Sequence, residues 1–189
     1  MIAPLLLEAL PSIEVVLGDR STALRGLEAC YRADRTEFAH RFGLVAELDG
    51  STAGIAIAFP GRLYQGLKLG TGVTLARAAG PRHATEVVRR ERALARLLPK
   101  PSAGFLYVSV VAVAQEHRRR GVAAALMERV VAGAERLGLG LAVDTAMDND
   151  AARSLYEAFG LRIVASRETK ALERALVPVS GMLRLERPA

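Results

Sequence analysis

The sequence predicts an α/β fold with a mixed sheet, and three observations carry that expectation. Phe105–Val113 reads as a strand that is apolar on both faces, as a strand buried in the middle of a sheet must be. From there, strand-like and helix-like segments follow one another as β-α-β-α-β as far as Ser166. Upstream, Asp49-Gly50 separates two strand-like stretches and signals a tight hairpin.

Met1–Glu8 is briefly apolar and reads as an opening strand or a helix edge, and Ser21–Ala39 is helical in composition. Gly43–Leu48 and Thr52–Phe59 are the two strands of the hairpin, with Pro60-Gly61 ending the second. In the next segment Gly66, Gly70, Gly72 and Gly80-Pro81 break up short apolar stretches. Thr85–Leu98 then reads as one helix, stopped by Pro99 and Pro101. The stretch 62–102 is thus expected as a helical insertion within a single domain spanning 1–189. Its last helix carries Arg89, Arg90, Arg92 and Arg96, either as a solvated face or as a wall of a substrate site. Beyond Phe105–Val113, Val122, Leu126 and Val130 mark one stripe of a helix that runs to about Leu137 and stops at Gly138. Gly140–Thr145 is a second buried strand. Asp148-Asn149-Asp150 caps a helix in which Ala152, Leu155, Tyr156 and Phe159 share a face, and Gly160 ends it. Leu161–Ser166 and Ser180–Leu185 supply two more strands.

Composition excludes several function classes. Half of the 189 residues are apolar (51%) and 24% are charged, which describes a globular chain rather than a disordered one. A single cysteine, Cys30, rules out an intrachain disulfide framework and points to a cytoplasmic protein, with Cys30 a small buried apolar residue rather than a nucleophile. His40, His83 and His117 are scattered and no cluster has metal-ligand spacing, so no metal is expected. The opening apolar run has no basic flank and is too short for a signal peptide or a membrane span, so no membrane partner is expected. The net charge of +6 suits an anionic ligand, yet aromatics are only 5%, too sparse for a surface that stacks bases.

Chemistry concentrates at Arg118-Arg119-Arg120-Gly121-Val122-Ala123, between a buried strand and the start of a helix. The first turn of a helix has N–H groups without intrahelical partners, and these carry the positive end of the helix dipole. A pyrophosphate supplies matching acceptors and charge. Gly121 removes the Cβ that would hold a phosphate off, and Ala123 is nearly as small. The arginines can add charge-assisted contacts. The same residues also describe an ordinary helix cap with solvated arginines, and taken alone they leave both readings open.

Arg118-x-x-Gly121-x-Ala123 after a strand resembles the phosphate loop of the GNAT superfamily of N-acetyltransferases, with Val113 where that family places a valine at the strand's end. Asn149-Asp150-Ala151-Ala152-Arg153-Ser154-Leu155-Tyr156-Glu157-Ala158-Phe159-Gly160-Leu161 resembles the family's Asn-x-x-Ala-x-x-Leu-Tyr-x-x-x-Gly-Phe segment. The resemblance covers Phe105–Val164; Gln115, Ala123 and Leu161 depart from the commonest family residues without removing a chemical group. It implies a GNAT-type mixed, mostly antiparallel central sheet flanked by helices. It also implies an acetyl-CoA-dependent acyltransferase that moves an acetyl group to a primary amine by direct attack in a ternary complex. Val111, Ala112 and Val113 would then hold the pantetheine arm, and Arg118, Arg119, Arg120, Gly121, Val122 and Ala123 the pyrophosphate. Asn149 would contact the cofactor arm, and Tyr156 would protonate the departing thiolate. Asp144 is the expected base, with Glu28, Asp34 and Glu37 as alternatives, while Ser109 and Tyr107 would line the acceptor channel. The acceptor would be a small-molecule amine or a peptide, and a homodimer is compatible with the resemblance.

Two other readings keep the same residues: a non-catalytic acyl-CoA-binding sensor, and a nucleic-acid module using the Arg89–Arg96 face with Arg118–Arg120. The first predicts cofactor binding without turnover. The second predicts oligonucleotide affinity that falls steeply with salt.

Overall fold

Asp49 and Gly50 both take positive φ, 54° and 74°, the backbone that lets a two-residue turn follow the natural strand twist. They join β1 (Gly43–Leu48) to β2 (Ser51–Pro60), paired antiparallel from Gly43↔Ile57 to Leu48↔Ser51. The computed structural model that contains this hairpin describes residues 2–81, 83–97, 100–170, 174 and 179–189. Met1, Leu98, Pro99 and the side chain of Arg90, all used in the sequence reading, lie outside the described set.

β2 pairs antiparallel with β3 (Phe105–Val113), and β3 pairs parallel with β4 (Gly140–Ala146). β4 continues antiparallel to β6 (Gly181–Arg187), which pairs antiparallel with the edge strand β5 (Arg162–Glu168). The six-stranded order is therefore β1-β2-β3-β4-β6-β5, a mixed and mostly antiparallel sheet.

The β3–β4 junction positions the site. It is short, running only from Phe105↔Gly140 to Val108↔Val143. Past that point β3 stays with β2 as far as Gly54↔Val113, while β4 stays with β6 as far as Ala146↔Met182. On β3 the register jumps from Ala58↔Val108 to Ile57↔Val110, leaving Ser109 as an extra, bulged residue. A bulge bends its strand and sharpens the local twist. Here it falls one residue after β4 is lost, so the two strands part and open a wedge between them.

Ile55, Ala56 and Ile57 alternate between two cores, as a strand requires, whereas Ala53, skipped where the register slips between Ala46 and Glu47, breaks that parity. Ala53 and Ala56 join Val108, Leu141 and Val143 beneath α6 (Val122–Arg136) and α7 (Asp150–Ala158). Ile55 and Ile57 join Val110 on the other face, beneath helices nearer the N-terminus. Those helices are α1 (Ala3–Ala9), α2 (Ser12–Leu17), α3 (Arg20–Arg32), α4 (Tyr64–Ala79) and α5 (Ala84–Ala95).

Three expectations need correction. The opening segment is helical, not a strand: Pro4 stands in the first turn, where its missing N–H costs nothing, and Leu5, Leu6 and Leu7 are all buried. The helix expected over Ser21–Ala39 ends at Arg32, where Ala33 turns extended (φ −81°, ψ 139°). The glycines at 66, 70 and 72 do not break the chain but lie inside α4. Gly70 is there for packing: a Cβ would sit 1.7 Å from the Arg35 carbonyl oxygen, so only glycine lets α4 approach that backbone.

Candidate active site

Gly121 is the N-cap of α6, with φ 80° and no side chain capping the helix. Arg119 is also left-handed, at φ 59°. Two such residues curl the backbone so that successive N–H groups converge. Arg118 N–H donates to Gln115 O, and the next amide given to a protein acceptor is that of Ala125, bonded to Gly121 O. Among the described residues, the N–H groups of Arg119–Ala124 thus have no protein acceptor. A Cβ on Gly121 would meet nothing within 4 Å, so the space on that side of the Gly121 backbone is open.

The arginine side chains divide. Arg118 donates to Glu8 Oε2 at 3.1 Å and to Val113 O at 3.2 Å. Arg120 donates to Asp49 Oδ2 at 3.3 Å and reaches His117 Nδ1 at 3.2 Å. Because arginine can only donate, His117 accepts at Nδ1 and carries its proton on Nε2, 3.1 Å from Ser51 Oγ, which in turn donates to Leu48 O. This chain of bonds ties the loop to the β1–β2 turn. Arg119 is exposed and, among the described residues, makes no ion pair.

Along β3, backbone direction alternates. Ala114 N–H donates to Ala53 O, so Ala114 and Ala112 turn their backbone groups toward β2. Val111 and Val113 therefore point theirs the other way, into the wedge. Of the three β3 residues expected to hold a cofactor arm, Val111 offers its backbone groups and Val113 its N–H, the Val113 carbonyl accepting from Arg118 Nε, while the backbone of Ala112 is committed to the sheet.

Asn149 caps α7, its Oδ1 accepting from Ala152 N–H at 3.1 Å, which leaves its amide nitrogen without a side-chain or backbone acceptor among the described residues. Tyr156 packs in the core under α6 and α7 at 5% exposure. Its hydroxyl has no protein hydrogen-bond partner among the described residues. Burial, helped by the negative charge of Asp144, pushes the Tyr156 phenol up to about 12.

Asp144, expected as a base, is not a free carboxylate. Its Oδ2 accepts from Arg184 Nη2 at 2.8 Å and from the Tyr107 hydroxyl at 2.9 Å, while Oδ1 accepts from Arg184 Nε. Tyr107, expected in the acceptor channel, lies in the same assembly, and burial raises its phenol well above the ordinary range. Tyr64 meets Tyr107 edge-on, with ring centroids 5.4 Å apart, and burial raises its phenol too. Lys68, one turn along α4, pairs at 3.2 Å with Glu37, which is buried. Of the other base candidates, Glu28 pairs with Arg32 on the surface of α3, and Asp34 is exposed. Ser109, the other expected channel residue, is the bulge itself. Arg184, Tyr64 and Lys68 went unnoticed in the sequence. The available signal was a charged residue flanked by Leu183 and Leu185.

A groove of about 910 Å³ between α4 and α5 begins at Tyr64 and Lys68. Among the described residues, no group of three or more His, Cys, Asp or Glu is placed to hold a metal ion, and no helix is long and apolar enough to cross a membrane.

A sheet split after a bulge, with an open helix start beside the split, is the framework of an acyl-transferring enzyme. Residues 18–161 match the acetyltransferase (GNAT) family, and the chain belongs to that family. Solved structures agree on the fold. An N-acetyltransferase from Staphylococcus aureus Mu50 is 18% identical, with 98% of this chain and 93% of that chain covered and a TM-score of 0.73. Another acetyltransferase is 19% identical, with coverages of 99% and 92% and a TM-score of 0.67. A Bacillus subtilis acetyltransferase in complex with CoA is 16% identical, with coverages of 98% and 90% and a TM-score of 0.56. No curated protein matches the chain.

Proposed function

We propose that this acetyltransferase moves the acetyl group of acetyl-CoA to a primary amine by direct attack, with both substrates bound together. The observation that carries the reading is the juxtaposition of two features: the unsatisfied amides at Arg119–Ala124, and the outward backbone of Val111 and Val113 in the wedge. A helix start with free N–H groups suits a diphosphate. An exposed strand edge suits an amide-bearing arm laid alongside it as an added strand. Gly121 and Ala123 keep that approach clear, Asn149 offers its amide nitrogen, and Arg119 supplies an uncommitted cation.

When bound, acetyl-CoA supplies an activated acyl carbon that a neutral amine can attack. The N–H of Val113 is directed into the wedge, where it can polarise a carbonyl. Tyr156 keeps its proton at every physiological pH. A phenol near 12 is a weaker acid than a thiol of ordinary pKa, about 8.5. Tyr156 therefore acts as a fixed hydrogen-bond donor that stabilises charge developing on the departing sulfur. Asp144 is assigned a positioning role: it holds Arg184 and the Tyr107 hydroxyl in place at the mouth of the wedge. An acceptor such as an α-amino group, with an ordinary pKa of about 7.7–8.0, is partly neutral near pH 7 and needs no strong base. Cytoplasmic residence fits this reading.

The nucleic-acid alternative is disfavoured, because Arg118, Arg120 and Arg89 already pair with Glu8, Asp49 and Glu86. The test is thiol release from acetyl-CoA with a panel of small amines and peptide N-termini. Turnover with at least one primary amine is expected. Tight CoA binding with no turnover on any amine would favour the sensor instead.

A further inference from the structure

We propose that the groove between α4 and α5 seats the acyl acceptor, and that the acceptor is a small primary amine bearing an apolar body and a carboxylate, as a short apolar peptide does. This inference rests on the acetyl-transfer reading above and adds the substrate class to it. Position is the first argument. The groove opens at Tyr64, whose ring packs edge-on against Tyr107, and the Tyr107 hydroxyl bonds to Asp144. Asp144 lies one residue past Val143, the last β4 residue paired to β3. One end of the groove is therefore linked to the split in the sheet through Tyr64, Tyr107 and Asp144.

Lining chemistry is the second argument. Leu69, Val73 and Val88 line the groove, and all three are exposed, at 71%, 43% and 37%. Exposed apolar side chains gathered in one concavity are the mark of a binding surface rather than of a solvated helix pair. The volume of about 910 Å³ falls within the range of small-molecule sites. Charge is the third argument. Arg77, Arg92 and Lys100 flank the groove, and among the described residues no acidic side chain lines it and none of the three is ion-paired. Such a rim attracts a carboxylate and repels a polyamine. The basic face of α5, which the sequence left between a solvated surface and a substrate wall, contributes Arg92 to that wall.

Isothermal titration of the CoA-saturated protein with three probes tests this: the tripeptide Ala-Leu-Phe, its C-terminal amide, and spermidine. The free acid should bind tighter than the amide by about tenfold, the size of one charge-assisted hydrogen bond. Spermidine should not bind. The triple variant R77Q/R92Q/K100Q, altered only at exposed side chains, should bind acid and amide alike, with the affinity of the amide unchanged. Equal affinities in the parent, a preference for spermidine, a preference that survives in the triple variant, or no binding of any probe would each overturn the groove assignment. A first titration with CoA separates the two claims: if CoA binds and the probes fail, only the acceptor class is lost, whereas if CoA does not bind, both fall.

Discussion

Replacing Asp144 with asparagine is the most demanding test of the site's electrostatic design. The Asp144 side chain is 4% exposed and that of Arg184 3%. Both carboxylate oxygens accept from the guanidinium, and one also takes the Tyr107 hydroxyl. Asparagine preserves shape and one acceptor oxygen, but it removes the charge that meets the buried guanidinium at two of its nitrogens, with Glu186 still paired at 3.7 Å. Deleting one partner of a buried pair costs about 3–5 kcal/mol, because the remaining charge stays desolvated. For a domain of this size each kcal/mol moves the melting temperature by about 2–4 °C, so D144N should melt about 6–20 °C lower. Differential scanning calorimetry on parent and variant measures this directly. The double variant Asp144→Leu with Arg184→Met removes both charges and should recover most of the loss. A D144N melting temperature within about 2 °C of the parent, or a double variant no more stable than D144N, would refute the reasoning.

Tyr156→Phe should lower kcat by about a hundredfold, as loss of a positioned proton-bearing group does, while CoA affinity by titration stays level. Because burial holds the Tyr156 phenol near 12 in the folded chain, against 10.0 for a free tyrosine, the native state binds the extra proton between those values. Stability should be full below pH 10 and fall as pH rises toward 12, by up to about 1.4 kcal/mol per unit for this residue, and Y156F should flatten the slope in urea titrations. Gly70→Ala should destabilise by about 3 kcal/mol, since its Cβ would collide with Arg35 O. Gly66→Ala, in the same helix with nothing within 4 Å, should instead stabilise by about 0.5–1 kcal/mol. Chemical denaturation of the pair checks both signs. Gly121→Ala, forced to φ 80°, should cost about 1–2 kcal/mol and weaken CoA binding in the same preparation.

The stretch from Phe105 to Gly160 was legible because each signal there is local. A doubly apolar strand, a glycine at a helix start, a 3.6-residue stripe and an asparagine cap can each be read within a dozen residues. α4 was not legible, because its glycines carry opposite meanings: Gly66 is a tolerated cost, whereas Gly70 is a packing requirement set by Arg35, distant in sequence. The opening helix was ambiguous because consecutive leucines suit a strand or a helix, and tertiary burial decides between them. Within the site, the sequence supplied Val111–Val113 but not their parity, which the β2 register fixes through Ala114 and Ala53. It also offered Asp144 as a base without its neutralising partner. Arg184 lies forty residues on, in a strand that inserts between β4 and β5 against chain order. No pattern along the chain announces that crossing.

Amide shifts during a CoA titration of the ¹⁵N-labelled protein put the account to its hardest trial. The N–H resonances of Arg119–Ala124 should move first and furthest, joined by Val111 and Val113, while Ala112, whose N–H is held by β2, moves little. If those helix-start amides stay in place at saturating CoA while resonances elsewhere respond, the nucleotide lies somewhere else and the assigned site is wrong.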